Sequence, residues 1–159
     1  MDRSGTLLVV LVAALVLSGG TSAAASGNEL GSLQSGDVET DAVVLQAAVD
    51  ENGDASWTID YRIELDDENT TAAFESLRED IRTNTSDYRG QFANRMRSTV
   101  AAAENATGRE MAVSNVTVTT RTTLDGQYGI VSYSFRWEGF AATEDDLIRV
   151  GDALAGMFL

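Results

Sequence analysis

Oxygen-bearing side chains are the only candidates for chemistry in this sequence. It has no His and no Cys, and all 11 basic residues are Arg. Without imidazole or thiol, Ser-His-Asp and Cys-His nucleophile arrangements cannot be built. Zinc and copper likewise lose their ordinary ligands. Carboxylates remain. Asp66-Asp67-Glu68 and Glu144-Asp145-Asp146 are acidic runs, and Asp50-x-Asn52-x-Asp54 spaces oxygen donors at alternate positions. Such donors suit Ca²⁺ or Mg²⁺, although Gly53 sits fourth in the last run, where an EF-hand loop has its glycine sixth. In so acidic a chain these runs also fit a solvated surface, so no metal or cofactor site is assigned. Two carboxylates held at a fixed separation can hydrolyse a glycoside. One sequence does not give that separation, and no catalytic residue is assigned.

Four N-x-[S/T] sequons make Asn69, Asn84, Asn105 and Asn115 candidate glycosylation sites. The same residue types favour helix caps and turns for backbone reasons, so both readings stay open. Trp57, Tyr61, Tyr133, Phe135 and Trp137 could form a ligand platform, but their strand spacing favours a core.

Positioning these residues falls to a small set of elements. Gly129 to Phe140 reads GIVSYSFRWEGF, with Val131, Tyr133, Phe135 and Trp137 alternating with polar residues. That period of two puts four large apolar side chains on one face of a strand. Asp41 to Leu65 reads as a hairpin. Val43, Leu45, Ala47 and Val49 share one face, Glu51-Asn52-Gly53-Asp54 forms the turn, and Trp57 to Leu65 alternates again. A helix is predicted from Asn69 or Thr70, with the acids Asp66 to Glu68 at its positive end. Its stripe is Ala73, Phe74, Leu77 and Ile81. After a polar link, Asn84 to Ser86, a second helix covers about Asp87 to Glu104 through Tyr88, Phe92, Met96, Val100 and Ala103, and Gly108 stops it. Val116, Val118, Thr120 and Thr122 form a Thr-rich strand that turns at Leu124 to Gln127 into the Gly129 strand. Leu147 to Val150 is a short extra strand. The order β-β-α-α-β-β-β predicts an α+β domain: an antiparallel sheet from two hairpins plus the extra strand, with both helices on one face.

The chain carries 25 acidic residues and a formal net charge of −14. It has no basic patch to neutralise phosphates, so nucleic acid is not an expected partner. Self-repulsion on this scale is screened away in molar salt, where the Debye length is about 3 Å. Acidic, Lys-free composition is similar to that of proteins from extreme halophiles. At the amino terminus Arg3, the apolar run Leu7 to Leu17 and small residues at Ala23 and Ala25 have the layout of a secretory signal peptide over residues 1–25. The run is short of the ~20 residues that span a bilayer. Residues 26–40, rich in Gly and Ser, read as a flexible linker, and 41–159 as the extracytoplasmic domain, cut inside its last strands at Met157-Phe158-Leu159.

The stretches Asn105 to Met111, Phe135 to Ala141 and Val150-Gly151-Asp152 resemble a family of uncharacterised haloarchaeal surface domains. In that family a signal peptide precedes the domain, a transmembrane helix commonly follows, and some members continue into a cytoplasmic winged-helix module. The resemblance implies membrane association and carries no functional residues across. Residues and resemblance together lead to the expectation of a non-catalytic, exported surface or sensor domain of a halophilic archaeal envelope protein. It would sit at the cell surface or the outer face of the cytoplasmic membrane, its partner another envelope protein or further membrane and cytoplasmic parts of its own polypeptide. The alternatives are a carboxylate-based or cation-dependent hydrolase of the envelope, or a small-ligand or sugar-binding module.

Overall fold

A computed structural model describes residues 13–16, 40–144 and 147–154. In chain order the elements are β1 (Ala13–Val16), β2 (Ala42–Val49), β3 (Ala55–Glu64), α1 (Glu68–Thr83), α2 (Thr85–Thr107), β4 (Ala112–Thr122), β5 (Tyr128–Glu138), β6 (Ala142–Glu144) and β7 (Leu147–Arg149). A helical turn follows at Asp152–Leu154. The main sheet is antiparallel in the order β1-β2-β3-β5-β4. The class is α+β, as the element order predicts.

β5 lies between β3 and β4, so its apolar face is flanked on both sides. Val131, Tyr133, Phe135 and Trp137 stand opposite Tyr61, Ile59, Trp57 and Ala55 of β3, and all eight are buried. The helices cover this face. α1 starts where the carboxylate of Asp67 accepts the Thr70 N–H at 2.7 Å, satisfying a donor that the first helical turn leaves open. It buries Phe74, Leu77 and Ile81, and α2 buries Phe92, Ala93, Met96, Val100 and Ala103. Gly129 makes room for α1: a Cβ there would meet the Phe74 ring at 2.6 Å. Phe92 stacks on Tyr133 with ring centroids 4.3 Å apart. The aromatics read as core or platform are therefore core.

Four details differ from the sequence reading. The link between the helices is one residue: the Asn84 N–H closes α1 on the Asp80 carbonyl at 2.8 Å, and α2 begins at Thr85. β4 is not a regular strand. A bulge between Ser114 and Thr117 resets its alternation, placing Val113 opposite Trp137 and Val118 opposite Tyr133. The extra strand, β7, pairs with β6 in a separate two-stranded sheet, because the chain leaves β5 through Gly139 at a φ of 70°. Finally, the backbone of Ala13–Val16, inside the run read as a leader core, pairs with Ala42–Leu45 as the edge strand; a short apolar run is compatible with a strand as well as with a leader core. The rest of the leader, residues 26–39 of the linker, Asp145, Asp146 and residues 155–159 lie outside the described residues.

Tyr61 and Tyr133 meet edge to face at 5.9 Å within this core. Burial pushes both phenols up, Tyr133 to about 12, although the Arg95 charge pulls the other way. Between pH 10.0, the ordinary phenol value, and about 12 the unfolded chain gives up the Tyr133 proton while the folded chain keeps it. Stability is complete below that window and falls as pH rises through it. In an alkaline titration, tyrosinate absorbance from these two residues is expected to appear together with loss of near-ultraviolet dichroism. Ionisation with the fold intact would contradict their burial.

Candidate functional site

At the end of the sheet where the β2–β3 turn meets the exit from β5, the acids singled out in the sequence are gathered around arginines. Asp50 closes the turn: its Oδ1 accepts the N–H groups of Asn52 at 3.0 Å and Asp54 at 3.2 Å. Its Oδ2 accepts from Arg136 at 2.7 Å, and Asp54 Oδ2 accepts from the same Nη2 at 2.8 Å. The remaining oxygen, Asp54 Oδ1, takes the Gly139 N–H at 2.9 Å. All four carboxylate oxygens of this pair are engaged, and the two acids hold Arg136 above the ordinary guanidinium range. The Asp50-x-Asn52-x-Asp54 run thus has an arginine where a cation would sit.

A second arginine ties the same region to the last described turn. Arg109, just past the Gly108 cap of α2, donates through Nε to the Gly139 carbonyl at 3.3 Å and through Nη2 to that of Phe140 at 2.8 Å. It also pairs with both oxygens of Asp152. That pairing holds the Asp152 carboxyl below its usual range. The three stretches that carry the family resemblance therefore meet here, one supplying Arg109, one Arg136, Gly139 and Phe140, and one Asp152. A planar guanidinium with fixed donors is suited to holding three segments in one geometry. The arrangement is structural: Asp50, Asp54, Asp152, Arg109 and Arg136 are all paired within it.

The other acidic runs behave alike. Asp67 caps α1, and Asp66 Oδ1 accepts the Thr70 hydroxyl at 3.2 Å. Glu144 pairs with Arg149 at 3.1 Å. Among the described residues no group of three acids is placed to hold a metal ion.

One polar cluster escaped the sequence reading. On the helix-free face Asp60, only 9% exposed, accepts the Ser132 hydroxyl at 2.5 Å and pairs with Arg121 at 2.8 Å. Asp60 and Ser132 are direct cross-strand neighbours, so the contact needs the strand register. The one local signal was an acid in mid-strand on the polar face.

The four sequon asparagines, Asn69, Asn84, Asn105 and Asn115, are all exposed. Each also has a backbone or side-chain place in the fold. Asn84 joins the helices and donates its amide to Asp80 at 2.7 Å. Asn115 adopts a φ of 55° at the bulge, a left-handed conformation that Asn tolerates better than most residues. Asn69 lies in the first turn of α1, and Asn105 in the last of α2.

No curated protein and no solved structure matches the chain. A family model does match, over residues 46–159, from within β2 through every later element. The chain belongs to that family, described as a domain of unknown function (DUF7345).

Proposed function

We propose that this chain is a non-catalytic, extracytoplasmic surface or sensor domain of a halophilic archaeal envelope protein. The observation that carries the reading is the way the clustered acids are engaged. Asp50 and Asp54 hold Arg136, Asp152 holds Arg109, and Asp60 holds Arg121 and Ser132. A hydrolase needs a carboxylate poised to give or take a proton beside a substrate. Here these paired carboxylates serve the architecture, and most of the other described acids are exposed, a solvated coat suited to molar salt. The aromatic face is filled by helices and offers no stacking platform. Export follows from the leader layout at the amino terminus. Cleavage after Ala25 would remove β1 and leave β2 as the sheet edge.

The test is topological. Expressed in a halophilic archaeal host, the chain is expected to be digested when intact cells meet added protease, and its mature amino terminus to be Ser26. Complete protection, with Met1 to Ala25 still attached, would overturn the export reading.

A further inference from the structure

α2 crosses β4 beside the bulge, and a groove of about 440 Å³ opens between them. Arg89 and Arg97 line it from the helix, with the small residues Gly90 and Ala93 between them, and Ser114 and Asn115 line it from the strand. Its charge is the reverse of the molecule's. The chain has 25 acids, yet among the described residues none lines this groove. Six other arginines are ion-paired: Arg78, Arg82, Arg109, Arg121, Arg136 and Arg149. Among the described residues Arg62, Arg89, Arg95 and Arg97 are not, and of these four Arg89 and Arg97 line the groove. Each is steadied by a neutral acceptor, Arg89 Nε by the Val116 carbonyl at 2.9 Å and Arg97 Nη1 by Asn94 Oδ1 at 2.7 Å.

The groove is held open by features that otherwise weaken the fold. Gly90 lies inside a helix, where glycine costs about 1 kcal/mol relative to alanine. A Cβ added there would meet nothing within 4 Å, so close packing does not require the glycine. The bulge takes Asn115 and Val116 out of the ladder between Ser114 and Thr117, bringing an amide side chain to the rim.

We propose that this groove binds a small hydroxylated carboxylate, a sugar acid in chemical class. Two guanidinium groups along one helix face match a carboxylate, which arginine binds through paired N–H donors. Asn115 supplies a donor and an acceptor for hydroxyls, and Ser114, whose own proton goes to Glu138 Oε1 at 2.9 Å, supplies an acceptor. The volume falls within the roughly 300–1,000 Å³ usual for small-molecule sites. The proposal gives the sensor reading a ligand class and rests on it only for where that ligand is met. Binding in vitro tests the groove, and protease accessibility of cells tests the location.

The experiment is a titration of the unglycosylated full chain with sodium glucuronate, followed through the Nε–H resonances of arginine. Unglycosylated protein is used because Asn115 both lines the groove and heads a sequon. Arg89 and Arg97 are expected to shift saturably with one shared dissociation constant, while Arg78 and Arg82 on α1 shift little. Arg97→Gln is expected to weaken binding at least about tenfold, the range for losing one charge-assisted hydrogen bond. The Arg97 bond shown stays within its own helix, so this change leaves the α2–β4 packing in place. Non-saturating shifts, equal shifts at Arg78 and Arg82, undiminished binding by Arg97→Gln, or equal binding of uncharged glucose would each overturn the proposal.

Discussion

Phe92→Ala is expected to lower the unfolding free energy by about 3–5 kcal/mol, the range for deleting a fully buried aromatic side chain. Phe92 has no exposed surface. Its ring lies nearly parallel to that of Tyr133, at an interplanar angle of 12°, and its centroid is 5.6 Å from that of Phe135. It is one of the five side chains that α2 buries, and it stacks on the central strand. Truncation removes both the transfer free energy and the stacking, and it leaves a cavity between two rigid layers that cannot close on it. Denaturant unfolding in molar KCl should show the midpoint falling with an unchanged slope. A second signal should accompany it. Opening a path for water to Tyr133 should lower the raised phenol value, and its ionisation should begin at lower pH. A loss below about 1 kcal/mol would mean that α2 does not rest on this face.

The layer that Phe92 completes was legible in the sequence. Trp57 to Leu65 and Val131 to Trp137 alternate because one sheet face is dry and the other wet, and an antiparallel sheet writes that difference directly into the chain. The helix stripes were legible for the same reason at a different period. β4 was not. Val116 and Val118 alternate convincingly, yet the residues that face Trp137 and Tyr133 are Val113 and Val118. Five positions apart, they fall on opposite faces of a regular strand, and only the extra residue at the bulge reunites them. Nothing local marks that residue except an asparagine able to take a positive φ.

The candidate sites were less legible still. Asp50 and Asp54 stand out as acids, but their partner Arg136 is 86 and 82 residues away. A carboxylate run looks the same in sequence whether it meets calcium, water or a guanidinium. The Arg89–Arg97 groove was hidden by the opposite problem. Its arginines are ordinary exposed helix residues until β4 is laid beside them. The absence of described acids from its lining is a fact about three-dimensional neighbours, which composition averages away.

The other large effect is expected at Gly139→Ala, and Gly126→Ala provides its control. The two glycines have nearly the same backbone, with φ of 70° and 73°. An alanine at either position bears the left-handed penalty of about 1–2 kcal/mol. Gly126 is at the tip of the β4–β5 hairpin, where a Cβ meets nothing within 4 Å, so that penalty is the whole cost. At Gly139 a Cβ would come 2.4 Å from the Glu110 carbonyl oxygen. That atom is backbone, and the segment carrying it is held in place by Arg109, whose Nε bonds the Gly139 carbonyl itself. Relief therefore requires the β5 exit to swing away, which lengthens the Gly139 N–H bond to Asp54 and loosens the grip of Asp54 on Arg136. Overpacking against a fixed group adds about 1–3 kcal/mol, so Gly139→Ala should exceed its control by at least about 1 kcal/mol in the same unfolding experiment. The excess should also be non-additive with Arg109→Ala, because both changes release the same three segments. Equal losses at the two glycines would show that the exit from β5 is free to move, and the arginine clamp would then not be what fixes this end of the sheet.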